Sequence, residues 1–97
     1  MYIHYLNYEW DEKKASANLA KHGVAFDCIH QFEWTTAVIK KDIRRDYGEN
    51  RFSATGFVGN RLHVAIFTTR GKTLRLIGLR KANSKEQRYY EEETQET

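Results

Sequence analysis

The chain has 97 residues, 40% of them apolar, and a formal net charge of +3. That length suits one domain over residues 1–97 and excludes two, while the periodic apolar segments exclude disorder, and no apolar run approaches the ~20 residues that span a bilayer. Met1-Tyr2-Ile3-His4 lacks the charged start and apolar stretch of a signal peptide, and the lone Cys28 offers no internal disulfide, so a reducing cytoplasm is the expected compartment.

Alternation predicts a first strand over Tyr2–Tyr8. Asp11 then reads as a helix N-cap, with Glu12 in the positive first turn and Trp10 placed to staple onto Ala15. Ala15, Leu19 and His22 fall on one face of that helix. Lys21 and His22 suit its negative end, and Gly23 suits a left-handed stop. A second short helix is predicted over Phe26–Trp34, burying Ile29 and Phe32 together with Phe26 or Cys28. Its start is weakly capped, because Ala25 has no side-chain acceptor. Ala37–Lys41 reads as a strand and Asp42–Asn50 as a charged loop.

The second half reads as a β-meander. Arg51–Val58 and Arg61–Thr69 flank Gly59-Asn60, a two-residue hairpin turn. Leu62, Val64 and Ile66 point one way along the strand; His63, Ala65 and Phe67 point the other. Arg70-Gly71-Lys72 makes the next turn, and Thr73–Arg80, apolar in its middle, reads as a central strand. Ser84 and Gln87 have capping-box spacing and open a last helix that runs to about Glu93. With little apolar content beyond Tyr89 and Tyr90, that helix must dock to persist. The order β-α-α-β-β-β-β-α makes an α+β fold, with helices packed on a mostly antiparallel sheet.

Charge is unevenly spread. All 16 Lys and Arg lie within residues 1–90, whereas four of the 13 acids (Glu91, Glu92, Glu93 and Glu96) fall in an acidic tail from about residue 91. Arg70, Lys72, Arg75, Arg80, Lys81, Lys85 and Arg88 stand against the single acid Glu86. Concentrated positive charge suits a polyanionic partner such as nucleic acid, although a solvated basic surface gives the same pattern.

Tyr8-Glu9-Trp10-Asp11-Glu12-Lys13-Lys14, then Asn18 and Lys21-His22-Gly23-Val24, resemble the opening signature of the BrnT toxins. Tyr47-Gly48-Glu49-Asn50-Arg51-Phe52 follows, with Gly56 and Arg61 behind it. Thr68-Thr69-Arg70 and Leu74-Arg75-Leu76-Ile77-Gly78-Leu79-Arg80-Lys81-Ala82 come next. Glu86, Arg88, Tyr89 and Tyr90 close the pattern, which covers roughly residues 8–92. The resemblance implies a RelE-like fold and an endoribonuclease toxin of a type II toxin–antitoxin pair. It also implies neutralisation by a BrnA-like ribbon-helix-helix antitoxin that binds operator DNA. Because such antitoxins dimerise, two toxins and an antitoxin dimer would form a heterotetramer. Three positions depart from the family pattern: Gly78-Leu79 where Ser-Ala is usual, Glu33-Trp34-Thr35 where Pro is common, and Ala25 in place of a Ser cap.

Metal-independent RNA cleavage needs a base for the ribose 2′-hydroxyl, cations for the pentavalent phosphate and an acid for the departing 5′-oxygen. Arginine suits the middle role, since its fork holds two phosphate oxygens. Arg80, before the last helix and followed by Lys81, is the first candidate, with the helix N-terminus at Ser84 favouring an anion. Arg75, five residues earlier, lies on the opposite face of a regular strand; only a bulge would bring both to one side. Arg75 is therefore an RNA or antitoxin contact. Arg51 could hold phosphate, and Glu49 could act as base or merely orient Arg51. His22 could be an acid or simply a helix cap. Glu86 and Tyr90 are one turn apart and can meet. Either Tyr89 or Tyr90 could stack on a base, worth about 1–3 kcal/mol, while at least one should pin the helix to the sheet. Arg70 and Arg88 are further candidate RNA contacts. His63 belongs to a sheet face, and His4 and His30 carry no motif. Four scattered histidines and one cysteine have no metal-ligand spacing, and no cofactor is expected. A RelE-like module that binds nucleic acid or a partner without catalysis is the alternative, kept open by Gly78-Leu79.

Overall fold

The computed structural model describes residues 7–95. Five strands form one sheet in the order β1-β5-β4-β3-β2, where β1 is Asn7–Glu9, β2 Val38–Asp42, β3 Arg51–Val58, β4 Arg61–Arg70 and β5 Thr73–Lys81. The meander β2 to β5 is antiparallel, and β1 runs parallel to β5 at the edge. Residues 2–6 of the expected first strand lie outside the described residues. Helix α1 (Glu12–His22) and two 3-10 turns (Phe26–Gln31 and Trp34–Thr36) pack on one face, and α2 (Ser84–Thr94) follows β5. Among the described residues no helix is long and apolar enough to cross a membrane.

The start of α1 is set by the Asp11 carboxylate, which accepts from Lys13 N at 2.9 Å, and its end by Gly23 at φ 71°. Its apolar stripe is thin. Ala15 is half-buried, but Leu19 is 51% exposed and His22 is exposed as well, so the helix is not held by that face. Asn18 anchors it instead. Its amide donates to Val24 O (3.0 Å) and Leu79 O (2.7 Å) and accepts from Leu79 N (3.2 Å). Since β1 pairs with β5 only through Thr73–Arg75, Asn18 satisfies the backbone of β5 where no strand lies beside it.

The second α-helix expected over Phe26–Trp34 is absent. Phe26–Gln31 is a 3-10 turn whose N-cap, Ala25, makes no side-chain bond. Phe32 is extended, bridges Val58, and is followed by a bond from Glu33 N to Phe57 O at 2.9 Å. Pairing with β3 therefore draws the chain out of a helix at its far end, and the weakly capped start does little to hold it. Phe26, Ile29 and Phe32 are buried nevertheless, with Ala54, Ala65, Phe67, Leu74, Leu76 and Leu79 beneath them. Each such large side chain is worth roughly 1.5–3 kcal/mol in burial.

The other face of the sheet is half covered. Leu62 and Val64 pack with Ala82 and Tyr90, where α2 docks, and Val38, Phe57 and Ile66 flank them. Tyr90 donates its hydroxyl to Thr36 O at 2.9 Å and meets the Phe57 ring edge-on. α2 begins at Ser84 as expected, but its cap is Asn83 rather than Ser84, and Asn83 forms a reciprocal box with Glu86. The remainder of this face, at the Lys40, Ser53 and Ile66 level, is open.

Candidate active site

On the open face, β3 and β4 supply the floor of a hollow of about 490 Å³, through Ser53, Val64 and Ile66. Lys40, Lys41 and Asp42 at the end of β2 form one wall, continued by Ile43 and Arg44. Arg80 of β5 and Glu86 of α2 form the opposite wall. A second hollow of about 300 Å³ adjoins it, sharing Lys40, Ser53, Val64 and Glu86 and adding Thr55, Asn83, Lys85 and Tyr89. The Lys40 ammonium lies 4.7 Å from the centre of the Tyr89 ring.

Both carboxylates of the hollow are committed. Glu86 takes Arg80 bidentately, Nη1 to Oε1 and Nη2 to Oε2 at 2.8 Å each, and also accepts from Asn83 N at 2.9 Å. The Arg80 hydrogen bonds hold the Glu86 carboxyl below its ordinary value against partial burial, with Asn83 and the charges of Arg80 and Lys40 adding to the effect. Glu86 in turn raises the Arg80 guanidinium, while burial and the like charge of Arg44 oppose it. Asp42 is forked by Arg44 Nε and Nη2 (2.9 and 2.8 Å) and accepts from the Tyr47 hydroxyl at 3.1 Å. The Arg44 bonds hold its carboxyl far below the usual carboxylate range despite burial. Lys40, Arg44 and Arg80 thus face a hollow whose two acids are already paired, which favours an anion.

Arg80, the first candidate from the sequence, lines this hollow. Tyr89 lines its neighbour. Lys81 and Arg88 are exposed and line neither. At the helix N-terminus Asn83 and Glu86 form a reciprocal cap that takes up the Asn83 and Glu86 backbone N–H groups. Tyr90 is buried and its hydroxyl is spent on Thr36 O, so it is the pin rather than a group presented to substrate, while Glu86 bonds Arg80 and Asn83. His22 lines a different hollow, with Lys14, Lys21 and Gly78. Gly78 is also two residues before Arg80 on β5, opposite Ile66 of the Arg80 hollow, and a Cβ there would make only ordinary contacts, 3.8 Å from Ile66 and 3.9 Å from Asn18.

Glu49 accepts from Arg51 Nε at 3.3 Å, while the Arg51 guanidinium lies 4.2 Å from the centre of the Tyr47 ring. Neither Glu49 nor Arg51 lines the hollow; their geometry fits the orienting role. Arg75 bonds Glu9 at 2.8 Å, and Arg70 approaches the same carboxylate at 3.8 Å. The β5 strand is not regular: pairing steps from Ile66–Gly78 to Phe67–Leu76 and leaves Ile77 as a bulge. Arg75 then opposes Thr68 while Arg80 opposes Val64, so the two arginines share a face. Sequence reasoning missed Lys40, Lys41, Arg44 and Ser53. The run Lys40-Lys41-Asp42-Ile43-Arg44-Arg45 was its visible signal, dissolved into a strand end and a loop. Among the described residues no cluster of three His, Cys, Asp or Glu side chains is arranged to hold a metal.

The family model described as the ribonuclease toxin BrnT of type II toxin–antitoxin systems matches residues 10–86. The chain belongs to the BrnT family. A BrnT-family protein is a ribonuclease toxin of a type II toxin–antitoxin system, with RNA as substrate and an antitoxin as partner. The matched span holds every residue named above for the larger hollow, and Tyr89 lies just beyond it. The 1.1 Å crystal structure of the Brucella abortus ribonuclease toxin BrnT is similar, with a TM-score of 0.64 and 29% identity. That likeness covers 80% of this chain and 99% of the Brucella BrnT chain. No curated protein sequence matches the chain.

Proposed function

We propose that this BrnT-family toxin is a RelE-like endoribonuclease that cleaves RNA without a metal ion, with the scissile phosphate seated in the Arg80 hollow. The observation that carries the reading is the convergence of Lys40, Arg44 and Arg80 from β2, its following turn and β5 onto one concave spot. In the reaction the ribose 2′-oxygen bonds to phosphorus and the bond from phosphorus to the 5′-oxygen breaks. The 2′-hydroxyl proton leaves to a base and the 5′-oxygen takes one up. The products are a 2′,3′-cyclic phosphate and a 5′-hydroxyl. Charge gathers on the phosphoryl oxygens in the transition state, where fixed guanidinium and ammonium groups are worth most. Glu86 aims Arg80; its depressed carboxyl is charged at neutral pH and is a poor proton donor. Tyr89 offers a stacking face to a base in the adjoining hollow.

The partner in this reading is a BrnA-like ribbon-helix-helix antitoxin. It covers part of the basic surface, joins two toxins through its own dimer and carries the complex to operator DNA. One feature favours the non-catalytic alternative: both terminal nitrogens of Arg80 are already occupied by Glu86. Purified protein and end-labelled RNA separate the two readings. Cleavage in EDTA that leaves a cyclic phosphate, together with growth arrest abolished by Arg80→Ala in a folded protein, supports the enzyme. Activity that appears only with magnesium, or arrest indifferent to Arg80→Ala, overturns this mechanism.

A further inference from the structure

The open face carries more charge than one phosphate needs, and the register orders it in rows. Val38, Thr55, Val64 and Arg80 lie across the sheet as directly opposed partners, and Lys40, Ser53, Ile66 and Gly78 form the next row. The third row starts at Asp42 opposite Arg51 and ends at Thr68 opposite Arg75 opposite Glu9. Arg51 precedes Phe52, whose partner is Phe67, so continued register sets it alongside Thr68; Thr68 Oγ1 donates to the adjacent Asn50 O at 2.7 Å. Thr55 and Arg51 are four residues apart on β3, so the rows of Arg80 and Arg75 are separated by about 13 Å at ~3.3 Å per residue. A single strand extended by a couple of nucleotides covers that distance.

Arg75 reaches this face only because Ile77 bulges; in a regular strand it would point into the core side. Each row-three guanidinium is tethered by one nitrogen: Arg75 Nη1 to Glu9 and Arg51 Nε to Glu49. Among the described residues the other nitrogens of these two forks donate no hydrogen bond, in contrast to Arg80, whose Nη1 and Nη2 are both taken. Their side chains are 33% and 23% exposed, ordered yet reachable. A single tether aims a fork and leaves donors for an incoming oxyanion.

We infer that Arg51 and Arg75 form a second phosphate subsite, which grips the RNA backbone a couple of nucleotides from the scissile bond and makes binding depend on strand length. This inference rests on the scissile phosphate lying in the Arg80 hollow. The subsite touches backbone and not bases, so it adds affinity without sequence preference.

The test is binding of full-length protein to RNA analogues carrying a 2′-deoxy sugar at the scissile step, in lengths from two to eight nucleotides and at several salt concentrations. Affinity of the unaltered protein is expected to rise about tenfold or more once the added phosphates reach row three. In Arg75→Gln, and more so in Arg51→Gln/Arg75→Gln, that gain shrinks, and the slope of log affinity against log salt falls by about 0.7 for each phosphate no longer neutralised. Arg75→Lys, which keeps charge but not the fork, recovers the salt slope in part. Glu9→Gln removes the carboxylate that aims Arg75 but keeps the guanidinium, so the length-dependent gain shrinks by less than in Arg75→Gln. A gain of the same size in the double variant, or an unchanged salt slope, overturns the subsite. Arg80→Ala reads the hollow separately: dinucleotide binding untouched by that change would overturn the hollow assignment, whatever row three does.

Discussion

Arg80 presents both terminal nitrogens to the two oxygens of Glu86, at 2.8 Å each, across the junction of β5 and α2. The pair is about a third exposed on each side, so its worth as a stabilising ion pair is modest. Its larger effect is to fix where Arg80 points. Glu86→Gln keeps a carbonyl acceptor for Asn83 N but loses the charge that holds the fork. The expected result is a loss of stability under about 1 kcal/mol, read by urea unfolding, with a fall in RNA cleavage of about tenfold or more. Wild-type turnover in a folded Glu86→Gln protein would remove the aiming role.

The same carboxylate makes the fold sensitive to acid. Glu86 and Asp42 both titrate below their ordinary values of 4.5 and 3.8, chiefly through the Arg80 and Arg44 hydrogen bonds. The unfolded chain therefore takes up these protons at higher pH than the folded chain does. Their contribution is complete above the ordinary values and is lost as pH falls through the depressed ones. Thermal unfolding followed from pH 7 to pH 3 should show a decline that steepens below about pH 4.5. In Glu86→Gln the decline should be shallower, and equal slopes in both proteins would show that Glu86 is not a source of it.

Asn18 should matter more for stability than any apolar residue of α1. Replacing it with Ala leaves Leu79 N and Leu79 O, both beside a fully buried side chain, without their partner. Unsatisfied buried groups cost about 1–3 kcal/mol each, so losing both corresponds to a fall in melting temperature on the order of 10 °C or more for a domain of this length. Leu19→Ala, at an exposed position, should change it by less than a quarter of that. Calorimetry on the two variants checks the ranking, which fails if Leu19→Ala is the more damaging.

How far the sequence carried depended on whether a local rule governed the element. The meander was legible because alternation and the Gly59-Asn60 turn act within a few residues, and β3 and β4 begin and end within a residue of the expected bounds. The last helix was legible to within one cap position, since Asn83 and Ser84 are both good caps and only tertiary docking chooses between them. The Phe26–Trp34 helix failed because a long-range bridge from Phe32 to Val58 outweighs a weak local preference. Arg80 could be picked out at the end of its strand. Lys40 and Arg44 could not, because they meet Arg80 only across β3 and β4, a neighbourhood fixed by strand order. The bulge at Ile77 was equally hidden, and with it the face of Arg75.

Phe32 and Gly56 give the sharpest test of that bridge. A Cβ on Gly56 would lie 2.8 Å from Phe32 Cζ, closer than real side chains approach, with Phe32 Cε2 at 3.0 Å and Ala37 Cβ at 3.2 Å also tight. Gly56 is thus required by the ring laid over it. Gly56→Ala should destabilise by about 1–3 kcal/mol through overpacking. Phe32→Leu alone should cost on the order of 1–2 kcal/mol in reduced burial. If the clash is the cause, the double variant Gly56→Ala/Phe32→Leu should be more stable than the sum of the two predicts, by about 1 kcal/mol of coupling. Denaturant midpoints for the three proteins measure that coupling directly. Strict additivity would mean that Gly56 is needed for the backbone of β3 itself and that the ring can move aside, which would weaken the argument that Phe32 pairing ends the 3-10 turn.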